Sequence, residues 1–99
     1  MPMSKTYRSH LWSQSKWYAE NGLENVKLGE KAISKEKNCD LALMYLIDAE
    51  ENNEVSHFAA AELNISDSDR RMGHWYRTFE AANKLRDKVE KRCLRKKPL

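Results

Sequence analysis

Hydrophobic and polar positions along the chain follow helical spacing, and the alternation of β-branched residues that marks strands is absent. A first helix is predicted over 4–21, because Ser4 can cap it and Asn21 followed by Gly22 is a typical helix stop. A weaker helix with a thin apolar stripe is predicted over 23–37.

Three further helices are predicted in the rest of the chain. One covers 40–51 and contains a run at 41–47 that is apolar on every face, so we expect it to be buried in the middle of the fold. An asparagine pair at 52–53 ends it, a short alanine-rich helix follows over 55–63, and a long proline-free helix covers 66–97.

The long last helix carries the clearest periodicity. Its apolar seam, interrupted by Arg86, consists of Met72, Trp75, Phe79, Ala82, Val89 and Cys93. A helix over 66–97 would be about 48 Å long and would overrun a compact domain of radius of gyration about 13 Å. We therefore expect the part beyond Arg86 to fray or to dock on an acidic partner, without strong self-association. The predicted fold class is all-α: one domain over 1–99, a small bundle of four to five helices with a long basic C-terminal helix.

Composition and charge narrow the class of protein. The chain has 99 residues, 40% hydrophobic and 33% charged, which suits one small helical domain with a wide solvent face. Residues 86–97 hold seven basic and two acidic residues, a net charge of +5. The whole chain has a net charge of +3, so the other residues sum to −2. Such an end favours either complementing a helix dipole or contacting phosphates.

The two cysteines, Cys39 and Cys93, form no CxxC pair, and the first ten residues lack the apolar core of a signal peptide. No apolar run reaches the length of a membrane span. We therefore expect a cytoplasmic protein with reduced thiols, Cys93 being a small core residue, and a Cys39–Cys93 disulfide remains the alternative.

The segment 55–71 has the outline of a helix-turn-helix, with Asn64 at the turn and Ile65 buried after it. In this interpretation a recognition helix opens at Ser66. The nucleic-acid contacts would be Ser66, Ser68, Arg70 and Arg71, with Arg92, Arg95 and Lys96 on the basic tail. Two aspartates at the tip, which would face a polyanion, favour instead an ordinary helix–loop–helix corner.

Catalytic and metal motifs are absent from the sequence. His10, His57, His74 and the two cysteines lack the close ligand pairs that zinc sites use, so no metal and no cofactor is predicted. No phosphate loop or nucleophile elbow occurs, and we expect the protein not to be an enzyme.

The aromatic first helix gives the leading functional hypothesis. Tryptophan and tyrosine are enriched at protein interfaces, although a small core can also use them. We expect a non-enzymatic regulatory protein, of the kind phages and plasmids use as accessory factors, that binds another protein and inhibits or modulates it. The predicted contact residues are Trp12, Trp17, Tyr18, Arg86 and Val89. A helix-turn-helix DNA-binding regulator is the alternative, so nucleic acid is the second candidate partner. No membrane partner is expected, and the protein is predicted to be a monomer or weak dimer.

Overall fold

The structure is a computed structural model that describes residues 3–94. These residues form three α-helices: α1 (Lys5–Ser34), α2 (Cys39–Ala61) and α3 (Gly73–Val89). A 3₁₀ turn, Arg70–Met72, leads into α3, and a π-helical segment, Glu90–Leu94, continues it. The all-α class is confirmed, and the number of helices is corrected from four or five to three.

Helix α1 passes through the predicted stop without a break, so the two helices predicted over 4–21 and 23–37 are one. The glycines serve packing instead of termination. A Cβ built on Gly22 would lie 3.0 Å from the carbonyl oxygen of Ala49, and one on Gly29 would lie 2.5 Å from Cδ2 of Leu85. A side chain at either position would hold the neighbouring helix away.

Helix α2 is also continuous, and the predicted end at 52–53 is wrong. Asn38 caps its start, accepting a hydrogen bond from the backbone N–H of Leu41 at 3.0 Å. The run 41–47 is not buried on every face, because Met44 is 60% exposed while Leu46 on the other side is buried. Stretches of apolar residues misled the prediction, since only one stripe of the helix faces the core.

The α1–α2 interface is built from small residues repeated every seven positions. These are Ser15, Gly22 and Gly29 on α1 and Ala42, Ala49 and Ser56 on α2, all of them buried. Small side chains allow two helix backbones to approach closely. At one end the contact is reinforced by two hydrogen bonds: the Ser15 hydroxyl donates to the Ser56 carbonyl at 2.9 Å, and the Ser56 hydroxyl donates to the Ser15 carbonyl at 2.6 Å.

The core is divided into two apolar clusters. The larger one joins the second half of α1 and the first half of α2 to Ala82, Leu85 and Val89 of α3. The smaller one gathers Leu11, Met72 and the end of α2. Along each helix the buried polar residues fall between the two clusters, and they are Ser15, Asn53, Ser56 and Thr78. We call them the polar layer.

Helix α3 buries a stripe that differs from the predicted seam. Thr78 is buried where Phe79 was expected, and Phe79 is 41% exposed; Leu85, which was not in the predicted seam, is also buried. Thr78 can be buried because its hydroxyl donates a 2.6 Å hydrogen bond to the carbonyl of Ala19. The polar residue in the core therefore keeps a hydrogen-bond partner.

The predicted overhang beyond Arg86 is wrong for the described residues. Val89 is fully buried, Arg86 pairs with Glu50, and Lys88 pairs with Glu30. The molecule measures 58 × 24 × 21 Å, so a long helix can lie along it without protruding. The basic end thus docks on acidic residues of its own chain, and its part from 95 onward lies outside the described residues.

Cys39 and Cys93 form a disulfide, with Cα atoms 5.6 Å apart, and not the free thiols that were expected. The bond joins the first turn of α2 to the segment after α3. The sequence left this pairing as the alternative, because the proximity of two cysteines far apart in the chain depends on α3 lying antiparallel to α2. No helix formed by residues 3–94 combines the length and apolar character that a membrane span requires.

Candidate functional site

A groove of about 260 Å³ lies between α2 and α3, and we call it the α2–α3 groove. It runs beside the polar layer, where the two apolar clusters of the core separate. The residues that line it are Glu50, Asn53, Glu54, His57, Asp67, Trp75, Phe79, Ala82 and Asn83.

One wall of the groove is aromatic. The rings of Trp75 and Phe79 are stacked, with centroids 5.0 Å apart and planes inclined by 17°. His57 lies 6.0 Å from Trp75, and Phe58 and Tyr76 extend the cluster onto the surface. Since single exposed aromatics are ordinary but a contiguous exposed group is not, this wall is a candidate contact surface.

The groove also contains buried polar atoms without partners. Asn53 is only 5% exposed, and its Oδ1 has no hydrogen-bond partner among residues 3–94. The same holds for Nδ1 of His57. Buried acceptors of this kind are uncommon in folded proteins and cost about 1–3 kcal/mol each.

The charge of the groove is negative. Three of its lining residues are acidic and none is lysine or arginine. Glu50 is neutralised by the guanidinium of Arg86, whereas Glu54 and Asp67 form no ion pair within the described part of the chain. The groove is therefore lined by two uncompensated carboxylates, by two residues with unpartnered buried polar atoms, and by an aromatic wall.

The connection between α2 and α3 holds Asp67 at the rim. Asn64 adopts the left-handed conformation (φ 60°) expected of it, and Ile65 is buried as predicted. After a turn, Asp69 caps the 3₁₀ turn by accepting a 2.8 Å hydrogen bond from the backbone N–H of Arg71. Hydrogen bonds from Arg71 lower the pKa of Asp69 to about 2, so the cap stays ionised.

The residues predicted to contact a partner are dispersed. Trp17 is 57% exposed and makes an edge contact with Tyr18, with ring centroids 4.9 Å apart. Trp12 packs on the smaller core cluster and contacts the ring of His74. Arg86 is exposed at the edge of the groove through its pair with Glu50.

Val89 is the clear correction to this set. Its side chain is fully buried in the larger core cluster and offers no surface to a partner. The predicted seam placed it on an unfilled end of the last helix, which the packing against α1 and α2 fills.

The predicted recognition helix does not open at Ser66. Ser66 and Ser68 lie in a turn, where their hydroxyls hydrogen-bond each other at 2.9 Å. Arg70 lies in the 3₁₀ turn, and the Arg71 guanidinium donates to both carboxylate oxygens of Asp69 at 3.1 and 2.9 Å. The local hydrogen bonds of serine and aspartate compete with helix formation here.

The basic tail is only partly described. Arg92 is exposed in the π-helical segment. Arg95 and Lys96, the other predicted phosphate contacts, lie outside the described residues.

A serine–histidine contact within the polar layer resembles catalytic geometry but is closed to substrates. Oγ of Ser15 lies 2.8 Å from Nε2 of His74, and Ser15 is fully buried between helices. Burial, with a smaller contribution from Lys16, lowers the pKa of His74. Oγ of Ser15 also lies within hydrogen-bond distance of Ser56, so these contacts tie α1 to both α2 and α3.

Within residues 3–94, no three His, Cys, Asp or Glu side chains come together as a metal-binding group. Of the zinc candidates weighed from the sequence, Cys39 and Cys93 bond each other.

Sequence reasoning missed the groove because it assigned its residues to other roles. Phe79 was placed in the core seam and Asn53 at a helix end. The spacing gave no signal, because Trp75, Tyr76 and Phe79 lie within about 100° of one another on a helix and could share one apolar stripe.

Comparison with known proteins adds no assignment, since no protein-family model, no curated protein and no solved structure matches this chain.

Proposed function

We propose that this protein is a non-enzymatic regulatory protein that binds another protein and modulates its activity. The observation that carries the proposal is the α2–α3 groove, where a half-buried Trp75 and an exposed Phe79 stack beside uncompensated carboxylates. Aromatic anchors surrounded by polar groups are the usual centre of a protein–protein contact. Trp17 on α1 is a second exposed anchor.

The partner would be a protein with a basic contact surface. A site with negative potential attracts positively charged partners and accelerates their association. This complementarity disfavours the alternative of a helix-turn-helix regulator, since DNA is a polyanion and Arg71 is already paired with Asp69.

Other parts of the functional prediction stay predictions. An accessory factor of the phage or plasmid type, a monomer or weak dimer, fits a small protein with one contact groove. The cytoplasmic location was predicted from the missing signal-peptide core and membrane span, and the Cys39–Cys93 disulfide weighs against it, because disulfides persist in oxidising compartments.

The test is capture of partners from a native lysate by the immobilised protein and by surface variants. Phe79→Ser should abolish capture of the specific partner, and Trp17→Ser reports whether α1 contributes. Leu28→Ser is the matched control, because Leu28 on α1 is as exposed as Phe79, at 41%. The captured partner, once purified, should change its activity on addition of the wild-type protein.

The proposal is contradicted if Phe79→Ser leaves the captured set unchanged while circular dichroism shows this variant folded.

A further inference from the structure

The α2–α3 groove holds acceptors that the chain leaves without donors. Oδ1 of Asn53 and Nδ1 of His57 are buried, line the same groove and have no partner among residues 3–94. Both atoms are closed to solvent, so a ligand N–H donor can reach Oδ1 of Asn53 only if this side chain turns towards the groove, and the hydrogen bond would then remove the cost of leaving the oxygen unpaired.

The residues around these atoms favour a positively charged ligand over a neutral or anionic one. Glu54 and Asp67 lie on the groove without an ion pair in the described part of the chain, and no lysine or arginine lines it. The faces of Trp75 and Phe79 also attract positive charge, because aromatic rings are negative on their faces. An anionic ligand would meet repulsion from every side of the groove.

We propose that the α2–α3 groove binds an arginine side chain presented by a partner protein. The inference rests on the proposed function and names the chemistry through which the partner is recognised. A guanidinium carries several N–H donors in one plane, can stack on an indole, and is more weakly hydrated than an ammonium. It can therefore pair with the carboxylate of Glu54 or Asp67 through one edge and contact Trp75 with its face.

Lysine fits these features less well. Its ammonium group is compact and strongly hydrated, and it cannot combine stacking with hydrogen bonds in one plane. The groove of about 260 Å³ also has room for the guanidinium with part of its aliphatic stem.

The probe is the peptide Ac-Gly-Gly-Arg-Gly-Gly-NH2, titrated into the full chain and followed by NMR chemical shifts. Matched peptides carry lysine or citrulline in place of arginine, the latter keeping the shape of the side chain but lacking its charge. We expect saturable shifts at the amide groups of Asn53 and His57 and at the Trp75 indole, with a Kd on the order of 1 mM. Lysine should bind more weakly, and citrulline should not bind measurably.

Two charge-removing variants and one control locate the site. Glu54→Gln and Asp67→Asn should each weaken binding of the arginine peptide about threefold. Glu51→Gln removes an exposed carboxylate from the same helix that does not line the groove, and it should leave the affinity unchanged. Absence of saturable shifts in the groove, equal binding of the citrulline peptide, or shifts centred on Trp17 would each overturn the proposal.

The two proposals fail separately. If the peptide binds the groove but capture of partners is insensitive to Phe79→Ser, arginine recognition stands and the proposed function falls. If capture depends on Phe79 but the arginine peptide does not bind, the protein contact stands and the arginine assignment falls.

Discussion

The α1–α2 interface and the α2–α3 groove share helix α2, but they differ in how their buried groups are packed and hydrogen-bonded. At the interface the helices are in close contact at Gly22 and Gly29, and the hydroxyls of Ser15 and Ser56 each donate a hydrogen bond to the other residue's carbonyl. In the groove Asn53 keeps an unpartnered oxygen, although Leu46 and Ala60, seven positions away on either side, pack in the two apolar clusters. One surface is optimised for stability, and the other keeps unpaired polar groups that a ligand can use.

The largest effect is expected from removing the disulfide, which links the start of α2 to the segment after α3. Replacing both cysteines by serine, Cys39→Ser with Cys93→Ser, should lower the free energy of unfolding by about 4 kcal/mol, since 54 residues separate them. Urea denaturation followed by circular dichroism measures the loss. Peptide binding in the groove should persist in native conditions, and its loss would show that the two regions depend on one covalent link.

Gly22→Val should be the next most damaging change. A Cβ at this position would lie 2.9 Å from Cγ2 of Thr78 and 3.0 Å from the backbone oxygen of Ala49, and the backbone cannot yield as a side chain can. We expect a loss of about 3 kcal/mol in the free energy of unfolding. Gly73→Ala is the control, because a Cβ there meets no atom within 4 Å, and it should be neutral or slightly stabilising. Equal effects of the two changes would refute the close-packing interpretation.

Ser56→Ala tests the hydrogen bonds of the same interface. Losing the 2.6 Å bond to the Ser15 carbonyl should cost about 1–2 kcal/mol. Ser34→Ala removes an exposed hydroxyl bonded within its own helix at 2.7 Å and should change stability little. The urea midpoints of the two variants are compared. A lower midpoint in Ser56→Ala alone would support the stabilising role of the interface hydrogen bond.

In the groove the sign of the effect should reverse. Asn53→Leu removes an unpartnered buried oxygen and should raise the free energy of unfolding by about 1 kcal/mol, while it weakens binding of the arginine peptide. Leu46→Asn, at the equivalent position of the packed region, should be strongly destabilising. If Asn53→Leu lowers the free energy of unfolding, the groove does not carry the unpaired buried oxygen described above.

The smallest effect concerns pH. Burial and Lys16 lower the pKa of His74 below its ordinary value of 6.5, so the unfolded chain takes up the proton first as pH falls. The contribution to stability is fully present above pH 6.5 and is lost as pH drops from there towards the folded pKa. Urea midpoints measured across this range should decline less in His74→Gln than in the wild type, while exposed His10→Gln should follow the wild type.

The sequence predicted some parts of these two regions and not others. Helical spacing was enough for the all-α class, and the cap predicted at Ser4 is confirmed. Helical spacing failed on Gly22 and on Asn53, because local preference marks both residues as helix breakers while tertiary contacts keep them inside helices.

The candidate site was less accessible from the sequence than the fold. A rotation of α3 by one residue position decides whether Phe79 or Thr78 faces the core. The observed rotation allows the Thr78 hydroxyl to donate a hydrogen bond to a backbone carbonyl of α1. The disulfide depends in the same way on the arrangement of α2 and α3, which no spacing between two lone cysteines reveals.

The Cys39–Cys93 bond also closes α2, the connection at 62–69 and α3 into a covalent ring. That connection carries exposed serines and is the part of the ring with the least helical structure. A protease that cuts once there would leave α2 and α3 attached to each other, so both walls of the groove would stay on one molecule. The bond therefore makes the binding surface tolerant of a nick at the point where the chain is easiest to cleave.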